Sequence, residues 1–159
     1  MALFLSTFTN KVDRKGRVSV PAPFRTSLSG TGAGPNGSFI LYPSPHYDAL
    51  EGCTVEHMQE LAARLATLEQ FSPEHDELST LFAASHQLSL DSEGRVGLPE
   101  QLLAYANITE NVAFVGAGGT FQLWEPDAYA AHSAAMLERM KQNKRTIPAA
   151  RPAQQTVTA

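Results

Sequence analysis

Cysteine and tryptophan occur once each in 159 residues, as Cys53 and Trp124. A lone thiol closes no intrachain disulfide, so the chain is not a disulfide-stapled scaffold, and its composition suits a reducing compartment. Long apolar runs are also missing. None approaches the roughly 20 residues that cross a bilayer, and the opening MALFLSTFTNKVDRK lacks the basic-then-apolar order of a secretory leader. The expectation is a cytoplasmic protein without a membrane span. The histidines, His46, His57, His75, His86 and His132, show no paired-ligand spacing, and no H-E-x-x-H or Cys/His cluster occurs. Ser44, Ser72 and the other serines lack a nucleophile-elbow setting, and no carboxylates stand out as an acid/base pair. No metal, no cofactor and no catalytic residue is expected, and the chain is not read as an enzyme.

Two glycine-rich stretches imitate phosphate-cradling loops, Gly30 to Gly37 (GTGAGPNG) and Gly116 to Thr120 (GAGGT). A nucleotide loop must follow a strand and open a helix. The first stretch follows a helical pattern and the second lies between NVAFVG and TFQLW, so both are read as connecting loops.

Basic charge is scarce overall, 12 Lys and Arg against 16 Asp and Glu, but it is concentrated. Residues 1–30 carry Lys11, Arg14, Lys15, Arg17 and Arg25 against Asp13 alone, residues 31–131 hold 2 basic and 14 acidic groups, and residues 132–159 return to 5 against 1. A phosphate backbone responds to such local patches and not to the whole-chain balance.

Sliding the first basic stretch along the chain reveals a repeat. DRKGRVSVPAPFR, Asp13 to Arg25, returns as DSEGRVGLPEQLL, Asp91 to Leu103, with Asp, Gly, Arg, Val and Pro at identical spacing. FILYPSPHY, Phe39 to Tyr47, reads as echoed by FQLWEPDAY, Phe121 to Tyr129. Each motif copy reads as strand, tight turn, strand. Gly16 and Gly94 supply the positive φ such a turn needs, and Asp13 and Asp91 accept hydrogen bonds from its amides. Pro21 and Pro99 end strand pairing and open short helices, from about Ala22 to Leu28 and ending near Tyr105.

Between the copies, Val55, Met58, Leu61, Ala62, Leu65 and Leu68 share one helical face. Ser72 and Pro73 start a second helix, reaching to about His86, with Glu74, Asp76 and Glu77 at its positive end. The resulting division is a first half over 5–47, a helical insert over 48–86 and a second half over 87–130. A C-terminal helix over 131–146 follows, drawn from an amphipathic pattern between Asp127 and Lys144, and then a tail over 147–159 too polar to order itself.

The turn carries the functional reading. Asp13 pairs readily with Arg17 across it, as Asp91 does with Arg95, and that role is structural. Arg14 and Lys15 at the tip, and Arg17 at the start of the next strand, suit contacts to phosphate and, for arginine, bidentate reading of guanine. In the second copy Ser92 and Glu93 replace Arg14 and Lys15. Arg95 is therefore a weaker candidate for DNA, or a brace for the fold.

The stretch FLSTFTNKVDRKGRVSVPAPFR, the duplicated Asp-x-x-x-Arg and the LYP and LWEP segments resemble the MraZ family, relatives of AbrB-type DNA-binding proteins, from Phe4 to about Arg139. The resemblance implies a β-rich α+β fold: two swapped-hairpin halves forming one pseudo-symmetric double-split β-barrel, with inserted helices. It further implies a nucleoid-associated regulator bound to double-stranded DNA at direct repeats in the promoter of the bacterial division and cell-wall gene cluster. The assembly implied is a ring-shaped, octamer-like homo-oligomer. AbrB-like barrels also serve as antitoxins, so a protein-binding scaffold is the alternative.

Overall fold

The computed structural model describes residues 2–30 and 34–144. The tail assigned to 147–159 lies outside the described residues. Strands β1 (Thr7–Lys11) and β2 (Arg17–Ser19) flank the first turn, and helix α1 (Ala22–Leu28), β3 (Ser38–Pro43) and β4 (Leu50–Cys53) follow. Helices α2 (Val55–Thr67) and α3 (Pro73–Ala83) come next. The second series is β5 (His86–Ser89), β6 (Arg95–Gly97), α4 (Glu100–Tyr105), β7 (Asn111–Gly116) and β8 (Phe121–Trp124), before α5 (Pro126–Asn143). The fold is thus β-rich α+β, with antiparallel pairing throughout its named strands.

Six strands form one sheet in the order β1-β7-β8-β4-β3-β5, and β2 pairs with β6 in a separate ribbon. The strand order is unchanged when the two series are exchanged. The first strand of each series pairs with the third of the other, Phe8 opposite Phe114 and His86 opposite Leu41. The fourth strands pair with each other, Leu50 opposite Leu123. Successive side chains on β3 and β7 point to opposite faces. Phe39, Leu41, Val112 and Phe114 enter the main core, where Phe24 of α1 packs edge-on against Phe4 at 5.2 Å and Phe114 at 6.1 Å between ring centroids. Ile40 and Tyr42 face the other way and are covered by Met58, Val55, Leu61, Leu81 and Phe82 of α2 and α3.

The helix ends follow local chemistry, although α3 stops at Ala83, short of the expected His86, which opens β5. Thr54 Oγ1 accepts from the His57 amide and Ser72 Oγ from the His75 amide, each at 3.1 Å, satisfying donors that an N-terminus leaves open. The helix starting at Pro21 runs Ala22–Leu28, and the one after Pro99 ends at Tyr105.

Three expectations need correction. The segment 48–86 opens with β4, whose LEGC lacks an alternating pattern and is a strand through its neighbours β3 and β8. The echo between FILYPSPHY and FQLWEPDAY joins elements that are not equivalent. Element order and register match β3 with β7, and β4 with β8, so similar side chains in strands of one sheet mimic a repeat. The last helix begins at Pro126, because Glu125 accepts from the amides of Asp127 and Ala128 at 3.1 and 2.9 Å and a proline loses nothing in a first helical turn. The chain divides into two compact units, residues 1–129 and 130–159, and the described part of the latter is the remainder of α5 and Lys144, with Met136, Leu137 and Met140 exposed.

Candidate nucleic-acid interface

The first turn is closed by its own aspartate. Asp13 Oδ1 accepts from the amides of Lys15 at 2.9 Å and Arg17 at 2.8 Å, while Oδ2 accepts from Arg17 Nε at 2.8 Å. The backbone adds Asp13 N–H to the Arg17 carbonyl at 2.8 Å and Gly16 N–H to the Asp13 carbonyl at 3.0 Å. Gly16 has φ +78°, a region L side chains enter at a cost of about 1–2 kcal/mol. The Arg17 amide, more than any other group, holds the Asp13 carboxyl below its ordinary value, with the Arg17 side chain and the Lys15 amide adding to it.

The second turn repeats this geometry. Asp91 Oδ1 accepts from the amides of Glu93 and Arg95, both at 2.9 Å, and Oδ2 accepts from Arg95 Nε at 3.1 Å. Gly94 has φ +76°. The Asp91 carboxyl is likewise held low, first by the Arg95 amide.

The ribbon brings the two turns together. β2 and β6 place Arg17 opposite Gly97, Val18 opposite Val96 and Ser19 opposite Arg95. Val18 and Val96 are 1% and 2% exposed and face the core. Alternation therefore puts Arg17, Ser19, Arg95 and Gly97 on the outer face. Arg17 and Arg95 are diagonal neighbours there, with backbones on the order of 7–8 Å apart. Each turn is also stitched to the opposite strand: Leu98 N–H donates to the Gly16 carbonyl at 2.8 Å and Val20 N–H to the Gly94 carbonyl at 2.9 Å.

The ribbon ends differ in charge. Arg14 and Lys15 are exposed at one end, and Ser92 and Glu93 are exposed at the other. Among the described residues, Asp13 is the one carboxylate paired with Arg17, and it engages Nε, leaving the terminal Nη groups without a protein partner. Arg95 is held twice, by Asp91 at Nε and by Glu93 at Nη2, the latter at 3.1 Å. Sequence reasoning did not place Arg25 near the second turn. Its side chain lies over Gly94, and its Nη1 donates to the Val20 carbonyl at 2.7 Å. Arg25 and Gly94 are distant in sequence, so no spacing rule links them.

Other chemistry is sparse. Cys53 is buried, and that burial pushes its thiol up to about 12, leaving negligible thiolate at neutral pH. The loop Gly116–Thr120 joins β7 to β8 and is closed by the Ala117 amide on the Thr120 carbonyl at 2.9 Å. Among the described residues no group of three or more His, Cys, Asp or Glu is arranged to hold a metal ion, and no helix is long and apolar enough to cross a membrane.

Fold and site define a class: small β-rich proteins that display a duplicated Asp-x-x-Gly-Arg turn on a two-stranded ribbon. Residues 81–149 match the family described as "MraZ protein, putative antitoxin-like". Proteins named transcriptional regulator MraZ are similar to most of the chain. The Pelagibacter ubique protein is 44% identical over 128 residues, covering 80% of this chain and 81% of that one. The Gluconacetobacter diazotrophicus protein is 43% identical over 129 residues, with coverages of 80% and 82%. The Gluconobacter oxydans protein is 40% identical over 142 residues, with coverages of 89% and 87%. The chain belongs to the MraZ family.

Proposed function

We propose that this protein is a sequence-specific DNA-binding transcriptional regulator that reads its target with Arg14, Lys15 and Arg17. The observation that carries the reading is the state of Arg17: fixed at Nε by Asp13, half-buried on the outer face of the ribbon, with its terminal nitrogens open to an acceptor. An arginine so oriented suits bidentate hydrogen bonding to guanine O6 and N7, while Arg14 and Lys15 beside it suit phosphate. Asp13, Gly16, Asp91 and Gly94 act as the frame of the two turns.

The reading extends to architecture and target. The exchange of first strands between halves supports a swapped-hairpin, double-split β-barrel with pseudo-twofold symmetry. Family membership supports a regulator that works in the cytoplasm on the nucleoid, as a ring-shaped, octamer-like assembly at the promoter of the division and cell-wall cluster. A head-to-tail ring presents its basic turns in one orientation, which matches direct repeats and not a palindrome. Boxes on one groove face then recur at about 10–10.5 bp. Several weak contacts on one duplex gain roughly 10²- to 10⁴-fold through effective concentration.

The test is a gel shift with the upstream duplex at two salt concentrations, followed by insertion of half a helical turn between boxes. Steep weakening with salt and loss of binding on insertion are expected. Salt-insensitive binding, or a protected inverted repeat, overturns the account. The antitoxin-like wording of the matched family favours a second reading, a protein-binding scaffold. Truncation beyond Arg145 separates the two. The regulator keeps its DNA affinity, and a tail-clamping scaffold loses a co-purifying protein.

A further inference from the structure

The two arginines of the ribbon face occupy equivalent positions and have unequal freedom. Turn residues align as Asp13 with Asp91, Arg14 with Ser92, Lys15 with Glu93 and Arg17 with Arg95. In the first turn the third residue is a lysine, which cannot accept from a guanidinium. In the second it is Glu93, whose Oε2 sits 3.1 Å from Arg95 Nη2 while Asp91 Oδ2 sits 3.1 Å from Nε. One edge of the Arg95 guanidinium is consequently covered by two carboxylates.

We propose that Glu93 is a specificity-determining residue that latches Arg95 away from DNA, making a twofold scaffold a one-ended reader. The inference rests on the DNA-binding reading of the first turn. Glu93 acts through Arg95: it competes with a base or phosphate for the Nη2 donor. The side chain of Glu93 is 68% exposed and that of Arg95 is 31% exposed, so the pair is weak enough to open and adds little to folding. A latch of this kind keeps the ribbon from engaging DNA equally in both directions, which favours oriented boxes.

The experiment uses the full-length protein and a labelled duplex that the wild type selects from a random pool, with affinity read by anisotropy at several salt concentrations. Glu93→Gln keeps the shape of the side chain and removes its charge. It is expected to bind about two- to fivefold more tightly, the range set by releasing an exposed ion pair. Its salt dependence should steepen by about 0.9 in log–log slope per protomer, one further phosphate contact. The gain should vanish when Arg95→Ala is added, with unchanged melting confirming that each variant folds. Persistence of the gain in the Arg95→Ala background shows general repulsion and overturns the latch. Unchanged affinity and slope for Glu93→Gln, while Arg17→Ala loses binding, overturns the latch and leaves the first-turn reading standing. Wild-type affinity in Arg17→Ala, or a wild type that selects no duplex, overturns both.

Discussion

The turn at Asp13 and the turn at Asp91 share an almost identical set of hydrogen bonds and differ in what they offer to solvent. Each aspartate accepts two amides and one Nε, each glycine takes a positive φ, and each arginine starts a strand of the same ribbon. Arg14 and Lys15 make the first end a cationic tip, whereas Ser92 and Glu93 leave the second neutral to acidic. The comparison teaches that shape and chemistry sit on different residues. Asp and Gly set the backbone, and the two residues between them set the charge around the arginine that both turns share.

The sharpest way to break this comparison is to remove the arginines one at a time. Arg17→Ala is expected to lose roughly 1–3 kcal/mol of specific DNA affinity per protomer, the worth of one bidentate base contact, with circular dichroism unchanged. Arg95→Ala should change affinity much less. Equal losses would make the ends functionally equivalent and defeat the assignment.

Next come the glycines, which test whether the shared shape is required at both ends. Gly16→Ala and Gly94→Ala each force a side chain to φ near +78° or +76° and should destabilise by about 1–2 kcal/mol, read from the denaturant midpoint. At Gly16 the new methyl meets the Leu98 carbonyl at 3.3 Å, whereas at Gly94 it displaces Arg25 and loosens its bond to the Val20 carbonyl. A change within about 0.5 kcal/mol at either site, typical of ordinary surface positions, would show that the left-handed residue is dispensable there.

Lys15→Ala sharpens the contrast in charge. Binding should weaken about equally on specific and unrelated duplexes, with a salt slope smaller by about 0.9 per protomer and unchanged melting. Loss confined to one sequence would instead make Lys15 a base reader.

The smallest effects concern what the turns share. Both aspartates titrate below their ordinary 3.8 when folded, so their stabilising bonds are intact above that pH and are lost as pH falls through the lower folded values. Asp13→Asn and Asp91→Asn should each lower the melting temperature at neutral pH and show a smaller further drop below pH 3.8 than wild type. A large difference between the two variants would mean that the turns are not equivalent frames.

Much of this was legible before any coordinates. The turn, its glycine, its accepting aspartate, the proline after each ribbon strand and the cap at Ser72 are interactions between residues a few positions apart, so spacing and residue type alone determine them. The duplication followed from identical spacing in Asp13–Pro21 and Asp91–Pro99. What only the tertiary structure decided is pairing across distance: β2 with β6, β4 with β8, and β1 and β5 with strands of the opposite half. Those pairings put Arg17 and Arg95 on one face, seat Arg25 over Gly94 and make a strand of Leu50–Cys53. Strand partners and register are chosen by the packing of a whole core, and a four-residue segment such as LEGC carries too little pattern of its own to announce them.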